Sequence, residues 1–218
     1  MRLTSLLAIG VICGAMGAAT LAQTAPVVKL PPSPIGQAAV QLGGRWDKAA
    51  DGGQRYRDGK WVVIDYSRPL LRGRKDIFGA GAEYGKTVSD GSPVWRMGAN
   101  DTTLLTTQAA LTIGGKPLPA GVYNAFAELK PGAWTFVLST QARQPKFDPN
   151  EKVLLYGSYN YDPKHDVLRV PMSVRTGDVS VEQLTLGFVN ATDSSATLTI
   201  SWDKTVATVE FRLAAGTM

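Results

Sequence analysis

Apolar and polar residues alternate with a period of two through the last third of the chain. Leu168, Val170, Met172 and Val174 fall on one face of an extended segment, and mostly polar residues occupy the other. Three later segments repeat the pattern, with apolar positions at 184, 186 and 188, at 198, 200 and 202, and at 209, 211 and 213. The alternation predicts strands that bury one face. Pro171 predicts an edge strand, because proline lacks the N–H that a ladder requires.

Four earlier segments are also predicted as strands, at residues 60–66, 102–113, 122–129 and 134–138. Gly114-Gly115 and Pro131-Gly132 indicate tight turns between neighbouring strands, and residues 176–178 and 192–195 indicate further turns. No long helical period interrupts them. The pattern predicts an all-β fold, a single antiparallel β-sandwich of jelly-roll or immunoglobulin-like type, over residues 45–214.

Residues 1–22 have the three parts of a secretory signal peptide. Arg2 is the only charge, residues 6–13 are an apolar run, and the small residues Thr20 and Ala22 suit cleavage after Ala22. A membrane anchor is the competing interpretation, but the run is too short to span about 30 Å of hydrocarbon. We therefore expect export, to the periplasm, and no transmembrane segment after cleavage.

The segment that follows, residues 23–44, is predicted to be a flexible leader. It carries four prolines and is rich in alanine and glycine, a composition typical of extended, water-exposed chain. The whole chain has 23 basic and 18 acidic residues and a net charge of +5. Because the basic residues are dispersed and form no arginine-rich arm, we expect a small anionic ligand or an envelope component rather than nucleic acid as partner.

Cysteine and histidine usage removes several kinds of chemistry. Cys13 is the only cysteine, so the mature chain has no disulfide, no thiolate metal site and no cysteine nucleophile. Lipid attachment at Cys13 is the less favoured alternative, since bulky residues precede it. His165 is the only histidine, which excludes a histidine-rich metal site, although Asp162 and Asp166 flank it and leave a weak carboxylate–histidine site open. We predict no cofactor and no metal.

Residues 65–101 are the stretch most suggestive of a binding site. Arg68, Arg72, Arg74 and Lys75 bring four cations into eight residues, among glycines that let the backbone approach a ligand. Arginine holds a carboxylate or a phosphate with two parallel hydrogen bonds. The simpler interpretation is a solvated loop in which arginines tie backbone carbonyls together. A dinucleotide-binding loop is excluded, because Tyr84 stands where its third glycine belongs.

Several motifs of this stretch occur together in one known family. They are Ile64-Asp-Tyr-Ser-Arg-Pro69, Gly73-Arg-Lys75, Tyr84-Gly85, Val94-Trp-Arg96 with Gly98-Ala-Asn100, and Leu118-Pro-Ala-Gly-Val-Tyr123. In this order they resemble the exported bacterial family called domain of unknown function twenty-nine-eleven, over roughly residues 60–212. The spacer 87–93 is longer than in common members, and Asp101 replaces a frequent glutamate. The resemblance implies an exported β-domain and brings no activity with it.

Three function classes follow from these observations. The leading hypothesis is a non-enzymatic binding or cell-envelope module. Its predicted ligand-binding residues are Asp65, Arg68, Arg74, Trp95, Arg96 and Asn100. The second is a periplasmic hydrolase that uses paired carboxylates from among Asp65, Glu83 and Asp101. The third is a structural partner protein that pairs through the edge strand containing Pro171.

Overall fold

The computed structural model describes residues 27–216 as two antiparallel sheets packed face to face, so the predicted all-β sandwich is confirmed. The larger sheet has six strands in the order β1-β4-β5-β8-β9-β10. These strands are β1 (Ile35–Leu42), β4 (Lys60–Ser67), β5 (Leu104–Thr107), β8 (Gly121–Glu128), β9 (Thr135–Ser139) and β10 (Asp166–Pro171).

The smaller sheet has four strands in the order β11-β12-β6-β7. They are β6 (Leu111–Ile113), β7 (Lys116–Leu118), β11 (Ser173–Val189) and β12 (Ser195–Leu213). A separate two-stranded ribbon consists of β2 (Arg45–Lys48) and β3 (Gln54–Arg57). The described helices are short: a 3-10 turn at Gly81–Glu83, α1 at Lys86–Ser89 and a 3-10 turn at Pro163–His165.

The core lies between the two sheets and follows the alternation of the sequence. Val62 and Ile64 of β4 face Leu198 and Ile200 of β12 within one continuous cluster of buried side chains. Each such side chain contributes about 1.5–3 kcal/mol of hydrophobic stabilisation when it is fully buried. Because both sheets supply alternate residues to this layer, the register of each strand is fixed by the side chains that it must bury.

Three predicted turns and one predicted edge strand are confirmed. Gly114-Gly115 joins β6 to β7, and Pro131-Gly132 joins β8 to β9, each as an antiparallel hairpin. Residues 190–194 join β11 to β12. Pro171 lies in β10, at the edge of the larger sheet. The proline N therefore requires no second strand as a partner.

The structure corrects two predictions of local structure. The predicted leader, residues 23–44, ends earlier, because Ile35–Leu42 forms β1 and pairs with β4 along its whole length. Ala38 and Leu42 are buried there. Their burial stabilises a strand, although the composition of the segment is typical of an extended, exposed chain. The predicted turn at 176–178 is an irregularity inside β11, where the pairing with β12 shifts register without reversing the chain.

A second, smaller core covers the outer face of the larger sheet around β8 and β9. Phe126 and Val137 point away from the main core and are buried by Val94 and Leu155, which lie on the connections before β5 and β10. These connections therefore pack beside one another, and this packing positions the site described below. The predicted signal peptide and Cys13 lie outside the described residues. Between residues 27 and 216, the longest helix is far short of what a membrane crossing requires.

Candidate functional site

The connection from β4 to β5 is anchored to the smaller sheet at its start. Leu71 N–H donates to the carbonyl of Glu182 (2.8 Å), and Leu184 N–H donates to the carbonyl of Pro69 (2.9 Å). Ile77 then buries its side chain in the main core. The basic stretch is thus fastened to β11 and is not a free loop.

Four aromatic side chains hold the rest of this connection against the sandwich. Phe78 packs edge-on against Trp134, with 4.9 Å between ring centroids, and edge-on against Trp95 at 5.3 Å. Trp95 lies nearly parallel to Trp202 of β12, with ring centroids 6.1 Å apart. The Trp95 backbone also exchanges two hydrogen bonds with Ala127 of β8. These contacts fix the position of the residue that follows, Arg96.

A cleft of about 150 Å³ opens where the two ends of this connection meet β12. Two of its walls are cationic and the others are mainly apolar. Its lining residues are Pro69, Arg74, Thr87, Val88, Trp95, Arg96, Gly98, Ala99 and Trp202.

Arg74 and Arg96 face this cleft without carboxylate partners. Arg74 donates from Nε to the carbonyl of Leu71 (3.0 Å) and from Nη2 to the carbonyl of Leu70 (2.6 Å). Its guanidinium carbon lies 5.7 Å from the Trp202 ring centroid, and that of Arg96 lies 5.7 Å from the Tyr159 ring centroid. Neither arginine forms an ion pair within residues 27–216. Two positive charges therefore share one cleft without a compensating anion from the described chain.

Unpartnered hydrogen-bond donors concentrate at the same cleft. Four buried side-chain polar atoms in the described chain lack a partner: Arg96 Nε, Thr103 Oγ1, Asp166 Oδ1 and Trp202 Nε1. The two N–H groups among them, those of Arg96 and Trp202, belong to cleft-lining residues. An N–H group left without a partner in a protein interior costs about 1–3 kcal/mol. Both atoms are buried, so these two N–H groups lie beneath the surface of the cleft.

The backbone beside Arg96 adds further donors. Met97 and Asn100 have positive φ angles of 49° and 60°, so the turn winds tightly between β8 and the cleft. Over the part of the chain that the structure describes, no backbone N–H from residue 96 to residue 101 donates to another residue. Turns of this kind, with successive unpaired N–H groups, form concave anion-binding surfaces.

Tyr159 fixes one face of Arg96. Its hydroxyl donates to a carboxylate oxygen of Asp90, at the end of α1. That hydrogen bond is the main reason why the pKa of Tyr159 is raised above its ordinary value, and the positive charge of Arg96 opposes the shift. Gly157 leaves the space that Arg96 occupies, since a β-carbon at that position would overlap Nη1 of Arg96. The orientation of Arg96 is thus set from two sides.

The structure gathers half of the predicted ligand-binding residues into this cleft. Arg74, Trp95 and Arg96 line it, although Trp95 is completely buried and serves as its floor. Arg68 lies beside the cleft but points to β11, donating to the Leu184 carbonyl and to the Thr185 hydroxyl (both 3.3 Å).

Asp65 and Asn100, like Arg68, do not line the cleft. Asp65 Oδ1 accepts a hydrogen bond from Gln37 Nε2 (2.7 Å) on the outer face of the larger sheet. Asn100 is exposed on the turn after the cleft. Sequence reasoning missed Trp202 and Tyr159, because one follows strand periodicity like any core residue and the other lies in a loop about 60 positions away.

The carboxylates considered for hydrolysis are divided between two places. Asp65 and Asp101 line a separate groove of about 120 Å³ near the end of β4. Glu83 is exposed and pairs with Lys86 Nζ at 2.9 Å. Neither place includes a residue of the arginine cleft.

A second charged cluster lies on the outer face of the larger sheet, beside a cavity of about 290 Å³. Arg169 of β10 pairs with Glu128 of β8 and donates to Asp166 Oδ2 (2.8 Å), and the Tyr161 hydroxyl donates to the same oxygen (2.6 Å). Burial, and then the hydrogen bond to Asp166, raises the pKa of Tyr161 strongly. Here the cation has two carboxylate partners, so the cluster acts as a clamp between strands.

The neighbourhood of His165 has its own structural function. Asp162 accepts a hydrogen bond from Lys164 N–H at the start of the 3-10 turn, and Lys164 lowers the pKa of Asp162. Asp166 is engaged by Arg169 and Tyr161. Across residues 27–216, no group of three or more histidine, cysteine or acidic side chains could hold a metal ion.

Comparison with known proteins connects this geometry to a family. No curated protein and no solved structure matches the chain. Residues 50–211, which include both the cleft and the charged clamp, match the family described as protein of unknown function (DUF2911). The match confirms the resemblance seen in the sequence motifs, and the chain belongs to the DUF2911 family.

Proposed function

We propose that this protein is a binding module for a small anion, held by Arg74 and Arg96 in the cleft between the β4–β5 connection and β12. One observation carries the proposal. Arg74 and Arg96 line one cleft, and neither forms an ion pair within residues 27–216. A bound anion would supply the negative charge and the acceptor oxygens that the two guanidinium groups lack there.

The charge distribution favours an anion over a neutral ligand. Two guanidinium groups without ion pairs line one cleft, and a negative charge bound there is attracted to both. Gly98 and Ala99, whose backbone N–H groups donate to no other residue of the described chain, also line the cleft. Arg68 supports the site indirectly, since its hydrogen bonds hold the start of the connection against β11.

The test is isothermal titration of the purified protein with acetate, butyrate, phosphate and sulfate. Arg96→Met keeps the apolar stem and removes the charge. We expect it to weaken binding of any anion by about tenfold or more, the effect of losing one charge-assisted hydrogen bond. Trp202→Phe should have a smaller effect on binding, because it keeps an aromatic ring beneath the cleft and removes no charge.

A matched control separates this effect from a change in overall charge. Arg212→Met removes an exposed arginine of β12 that pairs with Glu210 far from the cleft, and it should leave binding unchanged. Equal loss of binding in Arg212→Met and Arg96→Met would contradict the proposal, as would failure of the unmodified protein to bind every anion.

We further propose that the module works outside the cytoplasm. The support is the sequence of residues 1–22, in which a charged residue is followed by an apolar run and then by small residues, as in a secretory signal peptide. The mature protein should then begin at Gln23, which N-terminal sequencing of the periplasmic fraction tests directly. Recovery of the chain in the cytoplasm with Met1 retained would contradict export and would leave the anion site unaffected.

A further inference from the structure

The dimensions of the arginine cleft restrict the size of its ligand. The cleft measures about 150 Å³, whereas pockets for drug-sized molecules measure about 300–1,000 Å³. A water molecule takes about 30 Å³ of liquid volume, so the cleft has room for about five waters. A ligand of about five to eight non-hydrogen atoms fills this space.

The lining of the cleft combines cationic and apolar side chains. Arg74 and Arg96 supply its positive charge. Val88 and Ala99 are half-buried and supply apolar surface, whereas Pro69 and the two indole rings are buried beneath it. An occupant that matches these walls has one charged end and one apolar end.

Resting on the proposed function, we propose that the ligand is a small monocarboxylate with a short apolar chain. Its carboxylate lies against the guanidinium groups of Arg74 and Arg96, which match its two oxygens. Its hydrocarbon part covers Val88 and Ala99. Phosphate and sulfate match less well, because they carry acceptor oxygens in all directions and would leave some of them against apolar walls.

The experiment compares carboxylates of increasing length with tetrahedral anions, all by isothermal titration of the purified protein. From acetate to butyrate to hexanoate, we expect affinity to rise about fourfold for each added methylene. This factor corresponds to the free energy of transferring one methylene group from water to an apolar environment. Decanoate should bind no better than hexanoate, since its end leaves the cleft. Hexanamide, which has the same shape and no charge, should bind at least tenfold more weakly than hexanoate.

A variant of the apolar wall tests the other half of the ligand. Val88→Thr keeps the side-chain shape and adds a hydroxyl, so hexanoate should lose affinity severalfold while acetate changes little. Val122→Thr is the matched control, because Val122 is exposed on β8 and does not line the cleft. Circular dichroism melting of both variants shows that each is folded under the conditions of titration.

The outcomes distinguish this inference from the proposed function. Phosphate or sulfate binding more tightly than every carboxylate, and weakened by Arg96→Met, would overturn the carboxylate and keep the anion site. Equal affinity for acetate and hexanoate would likewise overturn the apolar half. Absence of binding by every anion would overturn both proposals.

Discussion

Two arginines of this protein lie beside aromatic hydroxyl groups but in opposite electrostatic settings. Arg169 bridges Glu128 and Asp166 and also contacts the Tyr161 hydroxyl, so its charge is neutralised within the protein. Arg96 lies over the Tyr159 ring and has no carboxylate partner in the described chain, and its Nε is unpartnered. The first cation has carboxylate partners within the protein, whereas the second has none in the described chain.

The difference shows how arginine serves structure and binding in one domain. The clamp around Arg169 joins β8 to β10 across β9, because Arg169 pairs with Glu128 on one strand and with Asp166 on the other. The cleft around Arg96 lies on a turn that the aromatic cluster holds rigid, so its unsatisfied donors remain in place. A binding site of this kind gives up some stability to keep its donors available.

The largest expected effect comes from breaking the clamp. Arg169→Met leaves Asp166, whose side chain is only 6% exposed, without its cationic partner. Because Arg169 itself is 38% exposed, we expect the free energy of unfolding, measured by urea denaturation, to fall by about 2 kcal/mol, less than for loss of one member of a fully buried pair.

Two controls sharpen this prediction. Arg212→Met breaks an exposed pair and should cost less than about 1 kcal/mol. Arg96→Met should also cost less than about 1 kcal/mol, since no ion pair is lost. Unfolding of Arg96→Met as severe as that of Arg169→Met would show that Arg96 is structural, and the contrast between the two arginines would fail.

A smaller effect, measured as the difference between two glycine variants, is expected at Gly157, behind Arg96. Gly157→Ala places a β-carbon onto Nη1 of Arg96 and 2.8 Å from the Asn100 carbonyl oxygen, at a φ of 59°. The matched control is Gly132→Ala, which has a φ of 70° and no atom within 4 Å of the added carbon. Both changes carry the left-handed cost of about 1–2 kcal/mol.

Only Gly157→Ala adds a steric clash. We expect it to destabilise the protein by about 1–2 kcal/mol more than Gly132→Ala does, and to abolish anion binding because Arg96 is displaced. Urea denaturation and titration calorimetry measure the two effects. Equal behaviour of the two variants in both measurements would show that the space behind Arg96 has no influence on the cleft.

The smallest expected effect is a change in the pKa values of Tyr159 and Tyr161. The main cause of the raised pKa is the hydrogen bond to Asp90 for Tyr159, and burial for Tyr161. Asp90→Asn should therefore return the pKa of Tyr159 most of the way towards 10.0, whereas Asp166→Asn should leave the pKa of Tyr161 clearly raised. Ultraviolet absorbance titration, assigned with Tyr159→Phe and Tyr161→Phe, measures both.

The same shifts give a pH dependence of stability. Because the folded pKa of Tyr161 lies above its unfolded value of 10.0, its contribution is complete below pH 10 and is lost as the pH rises towards the folded pKa. Tyr161→Phe should flatten the fall in urea midpoint above pH 10. An unchanged slope in that variant would assign the dependence to Tyr123 and Tyr159, whose pKa values are also raised.

The sequence predicted the strands that bury one face well and the long connections poorly. Leu198, Ile200 and Trp202 are buried in the core, as their alternation with polar residues predicted. Burial of alternate residues determines which face of a strand points inwards, and this depends on local sequence alone. The prediction of a flexible leader was wrong for residues 35–42. Their proline-, alanine- and glycine-rich surroundings indicated extended chain, whereas the segment pairs with β4 as a strand. Trp95 was expected at a ligand surface and is a fully buried floor, because its partner Trp202 lies far away in sequence.

By itself, the sequence determined the all-β class, the antiparallel hairpins, the edge position of Pro171 and the family, all of which depend on local period, turn chemistry or contiguous motifs. Only the tertiary structure decided which arginines are free. Arg68, Arg74, Arg96 and Arg169 are equivalent charges along the chain, and their difference depends on acceptors brought near by folding. Arg169 meets two carboxylates across β9, whereas Arg96 meets an aromatic ring and an open cleft.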